Sequence, residues 1–129
     1  MKNLVIEVTK HTPQITFDIE KDLLEFKGEC YPENVASFIA PIFNLLDDYL
    51  EQLEKQVFTI NISLIYFNSS SSKMLLDLFY KLEEEASTNN KNIVVNWIYD
   101  SEDEDSEEYG EEFKEDLEAL TFNLIPNEI

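Results

Sequence analysis

Apolar and polar residues alternate over Leu4 to Val8, and again at Ile15, Phe17 and Ile19 after the punctuation of Thr12-Pro13-Gln14. Alternation with period two predicts strands, so the chain opens on a hairpin. Leu23 to Glu29 repeats the pattern, with Leu24 and Phe26 on one face, and Gly28 and Tyr31-Pro32 end this third strand. The period then changes. Asn34 is placed to cap a helix in which Val35, Phe38, Ile39, Ile42, Leu45, Leu46, Tyr49 and Leu53 recur at intervals of three and four. Pro41 lies within that run, and a proline removes an interior hydrogen bond, so a break or kink is expected there.

Val57 to Phe67 is the clearest strand: Phe58, Ile60, Ile62, Leu64 and Tyr66 share one face, and Thr59, Asn61 and Ser63 lie on the other. Its length and apolar face place it centrally in a sheet. Asn68 and four serines lead into a helix striped by Leu75, Leu78, Phe79 and Leu82, which ends near Asn89-Asn90, and Ile93 to Tyr99 forms the next strand. A strand, helix, strand succession joins parallel neighbours through a right-handed crossover. Ser101 to Glu108 then holds six acids in eight residues and reads as a solvated charged loop, whose acids also suit the first turn of the following helix through its dipole. Tyr109, Phe113, Leu117 and Leu120 mark a last helix, and Thr121 to Ile125 a last strand. The fold class is α/β, as one domain over residues 1–129 with an at least partly parallel sheet.

Charge narrows the function. There are 9 basic residues, every one lysine, against 28 acidic ones, a formal net charge of −19. Such a surface repels a phosphate backbone, which argues against nucleic-acid binding, and it repels anionic lipid as well. No apolar run approaches the roughly 20 residues of a membrane span, so no membrane insertion is expected. The single cysteine, Cys30, forms no internal disulfide, and residues 1–9 carry no secretory pattern, so the expected location is cytoplasmic.

Catalytic constellations are missing from the pattern. The only glycines are Gly28 and Gly110, so the serine-rich turn is no phosphate-binding P-loop. The only histidine, His11, sits in a turn without triad partners, and the acids near Asp100 lack the glycine of a helix-loop-helix calcium site. Tyr31, Phe67, Trp97 and Tyr99 read as structural aromatics, and Cys30 as a small core or loop residue. No cofactor and no metal are expected. The turn Asn68-Ser69-Ser70-Ser71-Ser72-Lys73 remains: it lies at the carboxyl end of a parallel strand and opens a helix, where unpaired amides and the dipole tolerate an anion. A polar helix cap is the plainer reading of the same residues.

The motifs themselves are informative. His11-Thr12-Pro13 with Ile15 and Phe17-Asp18, then Gly28 to Asn34, then Tyr66 to Lys73, then Trp97-Ile98-Tyr99-Asp100 before an acidic stretch closely resemble the SiaC family of bacterial regulatory phosphoproteins, in order, from about Leu4 to Ile125. The resemblance implies a STAS-like fold, a mixed sheet with helices packed against it, and a non-enzymatic part in signal transduction. It also implies partner switching, in which a protein kinase phosphorylates the chain and a PP2C-type phosphatase reverses this. One state then binds an effector, a diguanylate cyclase, so that cyclic-di-GMP signalling and biofilm behaviour follow.

In the family the phosphoacceptor is a threonine directly after the asparagine of the strand-to-helix turn, which here is Ser69, with Ser70, Ser71 and Ser72 as neighbouring hydroxyls. Asn68 to Lys73 together form the expected partner-binding turn. Cys30 replaces the family's serine in the Gly28 to Asn34 motif. On this reading a phosphoryl dianion at Ser69 meets the acids after Asp100, offset only by Lys73 and the helix dipole, and expels a docked partner. Two other classes predict different behaviour: a phosphoryl carrier or small enzyme using the serine turn as a transient nucleophile, and a constitutive acidic adaptor that is never modified.

Overall fold

The structure is a computed structural model and describes residues 1–127. Its element order is β1 (Leu4–Ile6), β2 (Gln14–Asp18), β3 (Leu23–Cys30), α1 (Val35–Gln52), β4 (Phe58–Phe67), α2 (Ser69–Thr88), β5 (Ile93–Asp100), α3 (Glu104–Glu115) and β6 (Thr121–Asn127). The strands form one six-stranded sheet in sequential order. β1, β2 and β3 pair antiparallel, and β3 to β6 pair parallel, so β4 is internal as its pattern predicts.

Stepping one strand at a time in the same direction through right-handed crossovers puts every helix on the same side of the sheet. Burial agrees. The registered rows Phe17, Leu24, Ile60, Val95, Phe122 and Ile15, Phe26, Ile62, Trp97 are all buried and form the core with α1 and α2. Their odd-numbered neighbours on β4, Thr59, Asn61 and Ser63, are only half-buried, because no layer covers that face. Across it Asn96 donates to Asn61 at 2.8 Å and Asn123 donates to Asn96 at 3.0 Å, a side-chain amide ladder over three parallel strands.

Three expectations need correction. α1 runs from Val35 to Gln52 with Pro41 inside it, so the helix does not break there. Pro41 and Ser37, whose carbonyl loses the amide partner, are both exposed, so water can replace the lost bond while Ile39, Ile42 and Leu46 hold the buried face. The acidic run is not a loop throughout: Asp103 caps α3, accepting from Ser106 N–H at 3.1 Å, and Glu104, Asp105 and Glu107 occupy its first turn. Carboxylates there are favoured by the helix dipole, which offsets their mutual repulsion. Leu117 and Leu120 are buried but lie beyond the end of α3, in the connection to β6.

That connection is pinned by a residue the sequence pattern does not single out. Glu83 of α2 accepts from the amides of Glu118 (3.1 Å), Ala119 (2.9 and 3.0 Å) and Leu120 (3.0 Å). Burial works against the charge, yet these three backbone bonds outweigh it and hold the carboxyl below its ordinary range. A depressed carboxyl adds stability above its unfolded pKa and loses it as pH falls through the folded value. Glu83→Gln is therefore expected to cost about 1 kcal/mol at neutral pH, the lower end for charged hydrogen bonds because the site is partly solvated. Chemical denaturation of both proteins should show the difference shrinking as the solution is acidified below the carboxylate range. A pH-independent difference would contradict this assignment.

Candidate functional site

Four segments that are distant in sequence meet at the carboxyl edge of the parallel strands. The β1–β2 turn is bound to the β3–α1 turn by Tyr31 N–H donating to the His11 carbonyl at 2.7 Å. The His11 and Tyr31 rings meet edge to face with centroids 5.0 Å apart, and Tyr31 meets Tyr66 at 5.6 Å. Asn68 N–H donates to the Cys30 carbonyl at 3.3 Å, which ties the β4–α2 turn to β3. On the other side Phe67 touches Trp97 at 5.8 Å and Tyr109 at 5.1 Å.

Asn68 starts α2 as its sequence predicts. Its extended backbone turns the chain, its side chain accepts from Ser71 N–H at 3.0 Å, and its carbonyl accepts from Ser72 N–H at 2.9 Å. The amides of Ser69 and Ser70 find no protein acceptor among the described residues, the usual condition of a first helical turn. The serines are not equivalent. Ser69 and Ser70 are exposed and Ser72 is half-buried, whereas Ser71 is fully buried. The Cys30 thiol donates to Ser71 Oγ at 3.5 Å, and burial pushes that thiol up from its ordinary pKa, the Ser71 contact only partly opposing it. Ser71 is thereby withdrawn from the accessible hydroxyls, and from the surface a partner can touch. Lys73 is exposed one turn along.

Ser69 and Ser72 border an open depression with Tyr66, Phe67, Asn68 and Tyr109. It adjoins a second cleft, of about 200 Å³, in which Leu64, Ile65, Tyr66 and Phe67 face Asp103, Asp105, Ser106 and Tyr109. The acidic amino end of α3 thus borders the same edge as Ser69, as parallel pairing of β4 and β5 requires. α3 is held there by Trp97 Nε1–H donating to the Ser106 carbonyl at 2.9 Å and by Tyr99 O–H donating to Glu107 at 2.7 Å. The Glu107 bond, with burial and the nearby charges of Glu107 and Glu111 adding to it, raises the Tyr99 hydroxyl above its ordinary pKa.

Trp97 and Tyr99 are buried as expected of structural aromatics. Tyr66 and Tyr109 are not: they are 52% and 45% exposed, and Ile65 is 70% exposed. Sequence reading missed Ile65. Its signal is an isoleucine in the polar series Thr59, Asn61, Ser63, where a small polar residue is due.

Among the described residues no group of three or more His, Cys, Asp or Glu side chains is placed to hold a metal ion, and no helix is long and apolar enough to cross a membrane. What the edge offers is an accessible hydroxyl on a capped helix, an aromatic border and fixed negative charge. These lie together on one edge of a small α/β protein.

Comparison with known proteins makes the class specific. The family model described as SiaC family regulatory phosphoprotein matches residues 6–127, and the chain belongs to that family. It is a regulator and not an enzyme. An uncharacterized protein of Pseudomonas aeruginosa is 31% identical over 116 residues, 90% of each chain. Apo-SiaC from Pseudomonas aeruginosa superposes with a TM-score of 0.87 at 28% identity, covering 97% of this chain and 99% of that one. SiaC in complex with the diguanylate cyclase SiaD, of which it is the activator in that bacterium, gives 0.89 at 28% identity, over 96% and 99%. The α/β mixed sheet inferred from the sequence is the fold of these structures.

Proposed function

We propose that Ser69 is the phosphoacceptor of a partner switch that controls a diguanylate cyclase in the cytoplasm. A cognate kinase transfers the γ-phosphoryl of ATP to Ser69 Oγ, the hydroxyl proton passing to a base of the kinase and ADP leaving. A PP2C-type phosphatase returns the hydroxyl by hydrolysis. The observation that carries this reading is the position of Ser69: exposed, first in α2, with its own amide and that of Ser70 free to face an anion. The role of SiaC from Pseudomonas aeruginosa as activator of SiaD supports the choice of effector.

The unphosphorylated form is the binding form. Around Ser69 the border is made by Tyr66, Phe67 and Tyr109, so a docked partner dehydrates that surface. Phosphorylation adds about −1.5 to −2 charges, and burying such a group without paired cations costs several kcal/mol. That cost, beside the carboxylates of α3, releases the partner. Phosphopeptide mass spectrometry on protein from its own cells, combined with pull-down, tests this: phosphate should map to Ser69, and the captured cyclase should accompany only the unmodified pool. A cyclase recovered equally with both pools would overturn the switch. Phosphate turnover by the purified chain alone would instead make the serine turn a catalytic nucleophile.

A further inference from the structure

β4 and β5 pair from Phe58–Ile93 only as far as Ile62–Trp97, although both strands continue. β5 stays paired with β6 to Asp100–Asn127 and β4 with β3 to Phe67–Cys30, so the sheet divides between β4 and β5. On its other side β4 carries a bulge: Gly28 pairs with Leu64 and Glu29 with Tyr66, leaving Ile65 as the extra residue. Gly28 meets this irregularity with a φ of +129°, which a residue with a side chain rarely adopts. A bulge in a parallel ladder is uncommon, and bulges re-aim side chains beside functional sites. Here it turns Ile65 out to 70% exposure and Tyr66 to 52%.

The separation opens a furrow. Leu64 to Phe67 form one wall, and Asp103, Asp105, Ser106 and Tyr109 the other. It ends at Ser69 on one side and, past Ile65, Ile98 and Asp100, at the uncovered sheet face on the other. Its apolar floor is rimmed by Asp100, Asp103 and Asp105, and Lys27 stands outside it, past Ile65 and Ser63 on the open sheet face. A second copy of this chain, at a net charge of −19, is repelled from such a rim.

We infer that the furrow between the end of β4 and the start of α3 is the docking groove for a segment of the effector that carries an apolar side chain flanked by lysine or arginine. The apolar residue packs on Ile65 and Tyr66, and the basic neighbours face Asp103 and Asp105. Tyr66, Phe67 and Tyr109 border both this groove and Ser69, so a phosphoryl group stands at its mouth. This inference rests on the proposed switch and names the surface through which the switch acts.

The probe is the diguanylate cyclase encoded by the organism of this chain, titrated by calorimetry against the unphosphorylated full chain. Ile65→Ser and Asp105→Lys change exposed residues, so thermal melts should stay within about 5 °C of wild type, Asp105→Lys giving up a favourable charge at the amino end of α3. Each is expected to weaken binding at least tenfold, and wild-type affinity should fall with added salt more steeply than that of Asp105→Lys. A cyclase that binds both variants within twofold of wild type, yet responds to phosphorylation at Ser69, would overturn the groove and leave the switch standing. A cyclase that binds wild type in neither phosphorylation state would overturn the switch and the groove with it.

Discussion

Ser69→Ala protein, incubated with its kinase and ATP, is expected to carry no covalent phosphate, while Ser70→Ala and Ser71→Ala proteins are phosphorylated like wild type. The distinction follows from where the hydroxyls stand. Ser69 is exposed and borders the depression with Tyr66, Phe67 and Tyr109; Ser70 is exposed but does not border it. Ser71 points into the protein against Cys30, so its replacement leaves the acceptor in place and instead removes one buried contact, at a cost of about 1 kcal/mol. Intact-mass measurement after the kinase reaction reads the result directly. Wild-type levels of phosphate on Ser69→Ala would move the acceptor to another hydroxyl of the turn. Ser69→Asp is a weaker test, since a single carboxylate supplies neither the charge nor the three acceptor oxygens of a phosphoryl group.

The second large effect is expected at Gly110. A Cβ there would stand 2.5 Å from Leu124 Cδ2, 2.6 Å from Trp97 Cδ1 and 2.9 Å from Trp97 Nε1. The indole cannot retreat: it is 1% exposed, packed edge-on against Phe67 and Phe113, and bonded to the Ser106 carbonyl. Gly110→Ala must therefore lift α3 from the sheet. Alanine's better helix propensity returns up to about 1 kcal/mol, but overpacking commonly costs about 1–3 kcal/mol and here meets an indole that cannot shift, even where Leu124 can. A net loss of about 2 kcal/mol, or a drop in melting temperature of about 5–10 °C, is the expected outcome. Unchanged melting would mean that α3 does not rest on Trp97. Since α3 forms one wall of the furrow, the same substitution should also weaken effector binding at temperatures where the chain remains folded.

Much of the architecture is legible in the sequence because one layer of helices covers one face of the sheet. That arrangement makes period two and period 3.6 both clean: Phe58, Ile60, Ile62 and Leu64 against Thr59, Asn61 and Ser63, then Leu75, Leu78, Phe79 and Leu82. The acidic run misleads because like charges suggest a loop, whereas the dipole of α3 and the cap at Asp103 make them a helix start. Pro41 misleads because its solvent exposure, which removes most of its penalty, is not written in its neighbours. Leu117 and Leu120 keep helical spacing by coincidence. They reach the core from a connection whose backbone is secured by Glu83, a contact 35 to 37 residues away in the chain.

The serine turn is visible in the sequence as a capped helix start, but its inequivalence is not. That Ser71 is sealed against Cys30 depends on β3 lying beside β4 at Cys30–Phe67. The furrow is hidden for a similar reason, since strand separation and a bulge are properties of pairs of strands. Only the misplaced apolarity of Ile65 hints at it.

An uncovered sheet invites self-adhesion, and the borders of this one resist it. β1 is only three residues long, and the outer strand β6 carries Pro126, which has no amide to offer a further strand. Both borders therefore offer little backbone for a further strand to pair with. Such a chain can accumulate in quantity without its sheets joining edge to edge.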